Sequence, residues 1–281
     1  MHPKRGFLQL MKKSQNTTST TNTAKKLQSA FGKIIPPVIA VVAILLLWNY
    51  ISGSELVPSF MMPPPLKVWK ALVNDWPVLL QHAATTLKEA GLGLSIGIGL
   101  SFVISVIMDA CKPVYNALYP IVIVTQTIPS IAIAPLLTLW MGYGITPKIV
   151  LIVITTFFPV TVALLDGFKA ADPDAIKLLK SMGAGPVKRF IHIKLPYSLG
   201  YFFSGLKISV AYSVVAAVIS EWLGGSSGLG VFMTRVRKSF AYDRMFALII
   251  FISAVSLLLM LAVTIIKWLV MPWERRNKSR N

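Results

Sequence analysis

A chain of 281 residues that is 55% hydrophobic, 14% charged and formally +18 at neutral pH is too apolar for a soluble domain and reads as a polytopic membrane protein. Its single cysteine, Cys111, excludes an internal disulfide framework and reads as a small buried apolar residue. The basic residues are scattered over five segments rather than gathered on one surface, which excludes a nucleic-acid footprint and leaves topology and anionic lipid as their use.

Residues 1–33 contain seven Lys/Arg, no acid and the run SQNTTSTTNTAKK, a composition that buries no core and predicts a disordered tail. No cleavage site follows as in a signal peptide, so the first apolar run, Ile34 to Ile51, is read as a retained anchor. Beyond it, MMPPPLKVWKALVNDW stops any helix at its triple proline. Leu66, Val68, Trp69 and Leu72 then form a short amphipathic segment along the interface, with Trp69 and Trp76 as aromatic anchors.

The second span is predicted over Leu87 to Met108. Its Gly93 and Gly97 stand four apart, a spacing that lets helices approach closely, although glycine is common in membrane helices anyway. The third, Tyr115 to Trp140, contains Pro120, Pro129 and Pro135, so it is kinked or partly unwound. Backbone freed at membrane depth is tolerated only against protein or a hydrated cavity. Gln126, Thr127, Pro129 and Ser130 therefore either line a solute path or mark a structural kink. The fourth span, Ile149 to Leu165, is bent by Pro159.

Between the fourth and fifth spans lies the polar stretch DPDAIKLLKSMGAGPVKRFIHIKLP, residues 172 to 196. Asp172 suits an N-cap, Pro173 the first helical position, and Asp174 the positive end of the helix dipole. Ile176, Leu179 and Met182 make one apolar stripe, with Lys177 and Lys180 elsewhere on the surface. Gly183 is a left-handed C-cap, and Ala184-Gly185-Pro186 turns the chain into a second short helix, which Leu195-Pro196 ends. Two such helices either present a surface to a partner or lie as a loop on lipid headgroups.

The fifth span, Phe203 to Leu223, carries Glu221. A carboxylate inside a bilayer costs about 3 kcal/mol and must face water, a cation or a donor. Glu221 is therefore either a gate or pathway group or a helix-end residue. GGSSGLG, residues 224 to 230, reads as a turn or re-entrant loop, and the sixth span runs from Met245 to Val270. With both termini cytoplasmic, eighteen Lys/Arg fall inside and six outside, which the positive-inside rule favours. The cluster TRVRKSFAYDR opposes it. The expected architecture is thus all-α: a bundle of about six transmembrane helices over residues 34–270, with basic cytoplasmic tails at 1–33 and 271–281.

Gly183 followed by Ile193 and Leu195-Pro196 resembles the cytoplasmic loop of bacterial ABC importer permeases, whose pattern is E-A-A, three residues, G, nine residues, I-x-L-P. Here Lys177 replaces the glutamate, and Leu178 and Leu179 replace the alanines. The runs QTIPSIAIAPLLTLWMGYG and SEWLGGSSGLG resemble the subgroup that handles nitrate, sulfonates, taurine and the pyrimidine precursor of thiamine. The resemblance implies a permease in the bacterial inner membrane, paired with a second permease copy and served by an extracytoplasmic solute-binding protein. It also implies that the 172–196 loop docks on a separate ABC ATPase, with Asp172, Lys177, Leu179, Met182, Gly183, Ala184, Ile193, Leu195 and Pro196 in the coupling segment. ATP and magnesium would belong to that subunit.

The chain itself has no G-x-x-x-x-G-K-[ST] to cradle phosphate, no H-E-x-x-H and no cysteine pair, so neither a bound cofactor nor a metal site nor catalysis is expected. The competing class is a self-sufficient ion-coupled carrier or channel, which would show several ionisable residues at membrane depth, internal repeats or a selectivity motif.

Overall fold

The computed structural model describes residues 35–54, 58 and 60–273; the basic tail, Ile34 and the end beyond Trp273 lie outside them. Among the described residues every regular element is a helix. The chain divides into two units, the first ending at Lys67 and the second starting at Val68. In the first, α1 (Ile35–Gly53) is long and apolar enough to span a membrane. Its end is tied locally, with Trp48 Nε1 donating to the Pro63 carbonyl at 3.1 Å and Ser52 to the Met62 carbonyl at 2.8 Å. The helix α2 (Pro65–Asn74) starts inside the triple proline and buries Val68, Ala71 and Leu72, leaving Leu66 and Trp69 outward.

The second unit is organised around three long helices, α3 (Trp76–Ala110), α6 (Thr146–Lys169) and α9 (Leu195–Glu221). Small residues let them close on one another. A Cβ on Gly93 would lie 2.6 Å from Ile152, and one on Gly205 would lie 2.6 Å from the Pro159 carbonyl and from Ala163. Gly97 meets Thr156 and Gly167 meets Ser198 in the same way. Serines between the helices donate across the seams: Ser101 to the Phe157 carbonyl at 3.0 Å, Ser105 to that of Thr161 at 3.3 Å and Ser209 to that of Thr156 at 3.0 Å. This is membrane packing, in which close backbone approach and interhelical hydrogen bonds replace a hydrophobic drive that lipid cannot supply. The third span is two helices, α4 (Lys112–Thr127) and α5 (Ser130–Met141), meeting at 99°. With α11 (Tyr242–Val270), five helices among the described residues are long and apolar enough to span, or six if the bent pair counts as one.

Most boundaries differ from the sequence reading by a few residues, and two differ by more. The second span starts at Trp76, eleven residues before Leu87, because His82, Thr86 and Glu89 look too polar for a span yet are buried and paired. Leu195-Pro196 does not end the loop's second helix: α8 (Pro186–Arg189) passes through a π turn (Phe190–Lys194) directly into α9. The Leu195 N–H donates to the Phe190 carbonyl five residues back, and this wider turn accommodates a proline that would break an α-helical ladder.

Candidate functional site

At the α4–α5 break, Ile128 (φ −82, ψ 121) and Pro129 (φ −61, ψ 121) are extended. Ile128 precedes a proline, whose ring disfavours the helical region for it. Pro120 and Pro135 sit inside their helices without breaking them. The unwound turn opens a cavity of about 300 Å³. Gln126, Thr127, Pro129 and Ser130 all line it, together with Thr125 and Ile128, with Ile154, Thr155 and Phe158 from α6, and with Tyr212, Val215 and Ala216 from α9. Thr155 and Phe158 lie near the midpoint of α6, so the irregular backbone lines a cavity at the middle of a spanning helix, as unpaired backbone at membrane depth requires. No charged side chain lines it. Sequence reasoning missed Thr155, Phe158 and Tyr212; the available signal was a hydroxyl pair and a lone tyrosine in otherwise apolar runs.

In the 172–196 segment, Asp172 accepts the Asp174 N–H at 2.9 Å and starts α7 (Pro173–Ser181). Gly183 has φ +81. Its N–H donates to the Lys180 carbonyl at 3.1 Å and the Ala184 N–H to that of Leu179 at 2.9 Å, a Schellman closure that wants glycine at this position. Lys177 pairs with Asp174 on the exposed surface. The outward apolar residues are Leu178 (62% exposed), Met182 (73%) and, from α8, Val187 (67%). Ile176 and Leu179 turn half inward, so the exposed stripe is rotated from the Ile176–Leu179–Met182 line. Further on, the segment is fastened to the bundle. Ile193 is buried, Phe190 meets Phe168 edge-on at 5.1 Å, and Lys194 Nζ donates to both oxygens of Asp109, at 2.8 and 2.7 Å. Asp109 is next to the end of α3, one turn from the start of α4.

Glu221 does not line the cavity at the α4–α5 break. It is 1% exposed at the opposite end of α9 from the 172–196 segment, where its carboxylate organises the loop into α10 (Leu229–Lys238). One oxygen accepts from the Thr86 hydroxyl at 2.7 Å and the other from the Gly230 N–H at 2.6 Å. Thr86 in turn accepts the Leu229 N–H at 2.9 Å, and His82 Nδ1 accepts the Gly228 N–H at 3.0 Å, which leaves the ring proton on Nε2. Gly228 has φ +126, and a side chain there would run into the Glu221 carboxylate. Beside this knot, Lys148 donates to Glu89 at 2.6 Å, both buried. His82 thus packs in a structural knot and stacks on Phe232 at 5.3 Å. Among the described residues no group of His, Cys, Asp or Glu could hold a metal ion.

Residues 91–271 match the family described as the binding-protein-dependent transport system inner membrane component. The chain belongs to this family. A probable ABC transporter permease protein of Haemophilus influenzae is 33% identical over 231 residues, covering 82% of this chain and 94% of its own. A formylaminopyrimidine transport permease protein of Halalkalibacterium halodurans is 31% identical over 244 residues, covering 86% and 97%. A solved structure of an amino acid ABC transporter with histidines matches at a TM-score of 0.57 and 19% identity, over 73% of this chain and 96% of that one, a likeness of fold. The protein is a multi-pass inner-membrane permease of the ABC importer class, a transport subunit rather than an enzyme.

Proposed function

We propose that the permease carries a small, neutral, flat heteroaromatic solute of the pyrimidine-precursor class through the cavity at the α4–α5 break. The observation that carries this reading is the lining. Phe158 and Tyr212 supply aromatic surface, Gln126, Thr125, Thr127, Ser130 and Thr155 supply hydrogen-bonding groups, and no cation is present for a sulfonate or nitrate. An anion entering such a lining would lose its hydration without a counter-charge. A heteroaromatic ring loses little and gains contact with two rings. The relative in Halalkalibacterium halodurans, whose name gives formylaminopyrimidine as its cargo, supports the same class.

Coupling follows from the fastened segment. An ABC ATPase, holding ATP and magnesium, grips Leu178, Met182 and Val187 on the cytoplasmic side, where both termini also lie. Its closure displaces α7 and α8 as one piece, because the Gly183 turn fixes their angle. The displacement passes directly into α9, which continues from α8 through the π turn, and through Lys194–Asp109 into the corner between α3 and α4. Both routes reach the cavity walls. A second permease copy completes the pathway, and a solute-binding protein delivers cargo at the other end.

Tyr212→Ala is expected to lower uptake of labelled formylaminopyrimidine by about five- to tenfold, the worth of one lost ring contact, in proteoliposomes holding the complete importer. Taurine and nitrate are expected not to compete. Efficient uptake of either anion by the wild-type importer would overturn the assignment of solute class.

A further inference from the structure

We propose that the exposed end of α10, formed by Arg237, Lys238 and Phe240, is the docking point for the solute-binding protein, and that it takes an apolar notch flanked by carboxylates. This rests on the orientation and partners proposed above. The 27 residues of α9 put about 40 Å between the coupling segment and α10, so α10 faces away from the ATPase. Basic residues on that side run against the topology bias of the rest of the chain and call for a use.

The chain closes α7 and α10 with the same turn. After α10, the Phe240 N–H donates to the Arg237 carbonyl at 3.2 Å and the Ala241 N–H to that of Val236 at 3.3 Å, the bonding pattern of Gly183 and Ala184. Where α7 uses glycine, α10 uses phenylalanine at φ +55. A side chain in that conformation is strained, and Phe240 is 70% exposed. The ring meets Tyr242 edge-on at 6.4 Å and leaves most of its surface outward. Helix termination needs no ring there, and a strained aromatic so exposed suits an anchor for something that binds it.

The neighbouring charges fit the same partner. Arg235 is engaged with the Ser226 carbonyl at 3.0 Å and Arg244 with Asp75 at 3.1 Å. Arg237 and Lys238 are exposed and have no ion pair among the described residues. One cation would suffice to satisfy the negative end of α10; two, beside an aromatic, make a charged rim around an anchor. The helix bearing them is fixed by the buried bonds from Thr86, His82 and Glu221 to residues 228–230. Such rigidity favours a shaped protein surface, since a lipid headgroup layer gains nothing from it.

The test uses the complete permease–ATPase complex in nanodiscs, titrated with a formylaminopyrimidine-loaded solute-binding protein from the same cell while ATP hydrolysis is followed. For Arg237→Glu with Lys238→Glu, half-maximal stimulation is expected at about tenfold or more higher binding-protein concentration, with hydrolysis in the absence of binding protein unchanged. Phe240→Asn, which keeps the left-handed turn, is expected to shift it several-fold. Wild-type stimulation should weaken with added salt. Stimulation of both variants at wild-type concentrations overturns the proposal, as does a defect seen only in anionic nanodiscs, which would assign the patch to lipid. A wild-type complex that no binding protein stimulates overturns the importer reading and this surface together, an outcome distinct from a stimulated wild type with indifferent variants.

Discussion

Gly183→Val is expected to leave the permease inserted and its ATPase bound, while solute moved per ATP hydrolysed falls by about tenfold or more. Gly183 sits at φ +81 with open space around it, so the penalty comes from backbone conformation alone. A β-branched residue in the left-handed region costs about 1–3 kcal/mol, and the turn relieves that strain by leaving the left-handed region. The Ala184–Leu179 and Gly183–Lys180 bonds are then lost, and the fixed angle between α7 and α8 with them. An ATPase closing on Leu178 and Met182 would spend its displacement in the loosened turn, and Lys194 would no longer be driven against Asp109. Paired measurements of hydrolysis and uptake in proteoliposomes read this directly. Unchanged transport per ATP would remove the lever from the account; Gly183→Asn, which tolerates the same backbone, should stay close to wild type.

The second large effect is at the other end of α9. Gly228→Val is expected to prevent recovery of a folded permease, because it combines φ +126 with a side chain placed against the Glu221 carboxylate; each conflict alone costs about 1–3 kcal/mol. Glu221→Gln is milder and more informative. An amide keeps one acceptor but turns an N–H toward the Gly230 N–H or the Thr86 hydroxyl, leaving a buried donor unpaired for about 1–3 kcal/mol. The expected result is a lower melting temperature in detergent together with a proportionate loss of assembled importer. Glu221→Gln with unaltered melting and abolished uptake would instead make Glu221 a pathway group and contradict its role as an anchor.

What the sequence displayed and what it hid divide along the range of the interactions. Asp172, Pro173 and Gly183 are local signals: a cap, a first-turn proline and a left-handed turn can each be read from neighbours within a few residues, and the structure has a cap bond at Asp172 and φ +81 at Gly183. Six apolar runs likewise locate the spanning segments, because each needs only its own hydropathy. The break between α4 and α5 is different. Pro120, Pro129 and Pro135 look alike in a linear reading, and only packing decides that the chain unwinds at Pro129. Pro196 was read as a helix end, yet a π turn built from Phe190 to Lys194 absorbs it.

Long-range pairs left even less trace. Glu221 is bound to Thr86, 135 positions away, and Lys194 to Asp109, 85 positions away; nothing near Glu221 in the chain announces a hydroxyl partner. The same cause explains the early start of α3, whose first turns carry Gln81, His82, Thr86 and Glu89 and look like a loop until residues 228–230 are placed beside them. The exposed stripe of α7 was misregistered by one step, since helical spacing gives a face but not which face the bundle takes.

The claim on which the rest depends is that Leu178 and Met182 form the grip of a separate ATPase. Both side chains are exposed, so replacing them with glutamate should not disturb the bundle. The permease is to be purified through an affinity tag after co-expression with its ATPase, and the ATPase recovered per permease measured. Stoichiometric ATPase is expected with the wild type, and a loss of about tenfold or more with Leu178→Glu and Met182→Glu combined, at equal permease yield. Equal ATPase recovery with the doubly substituted chain would contradict that claim.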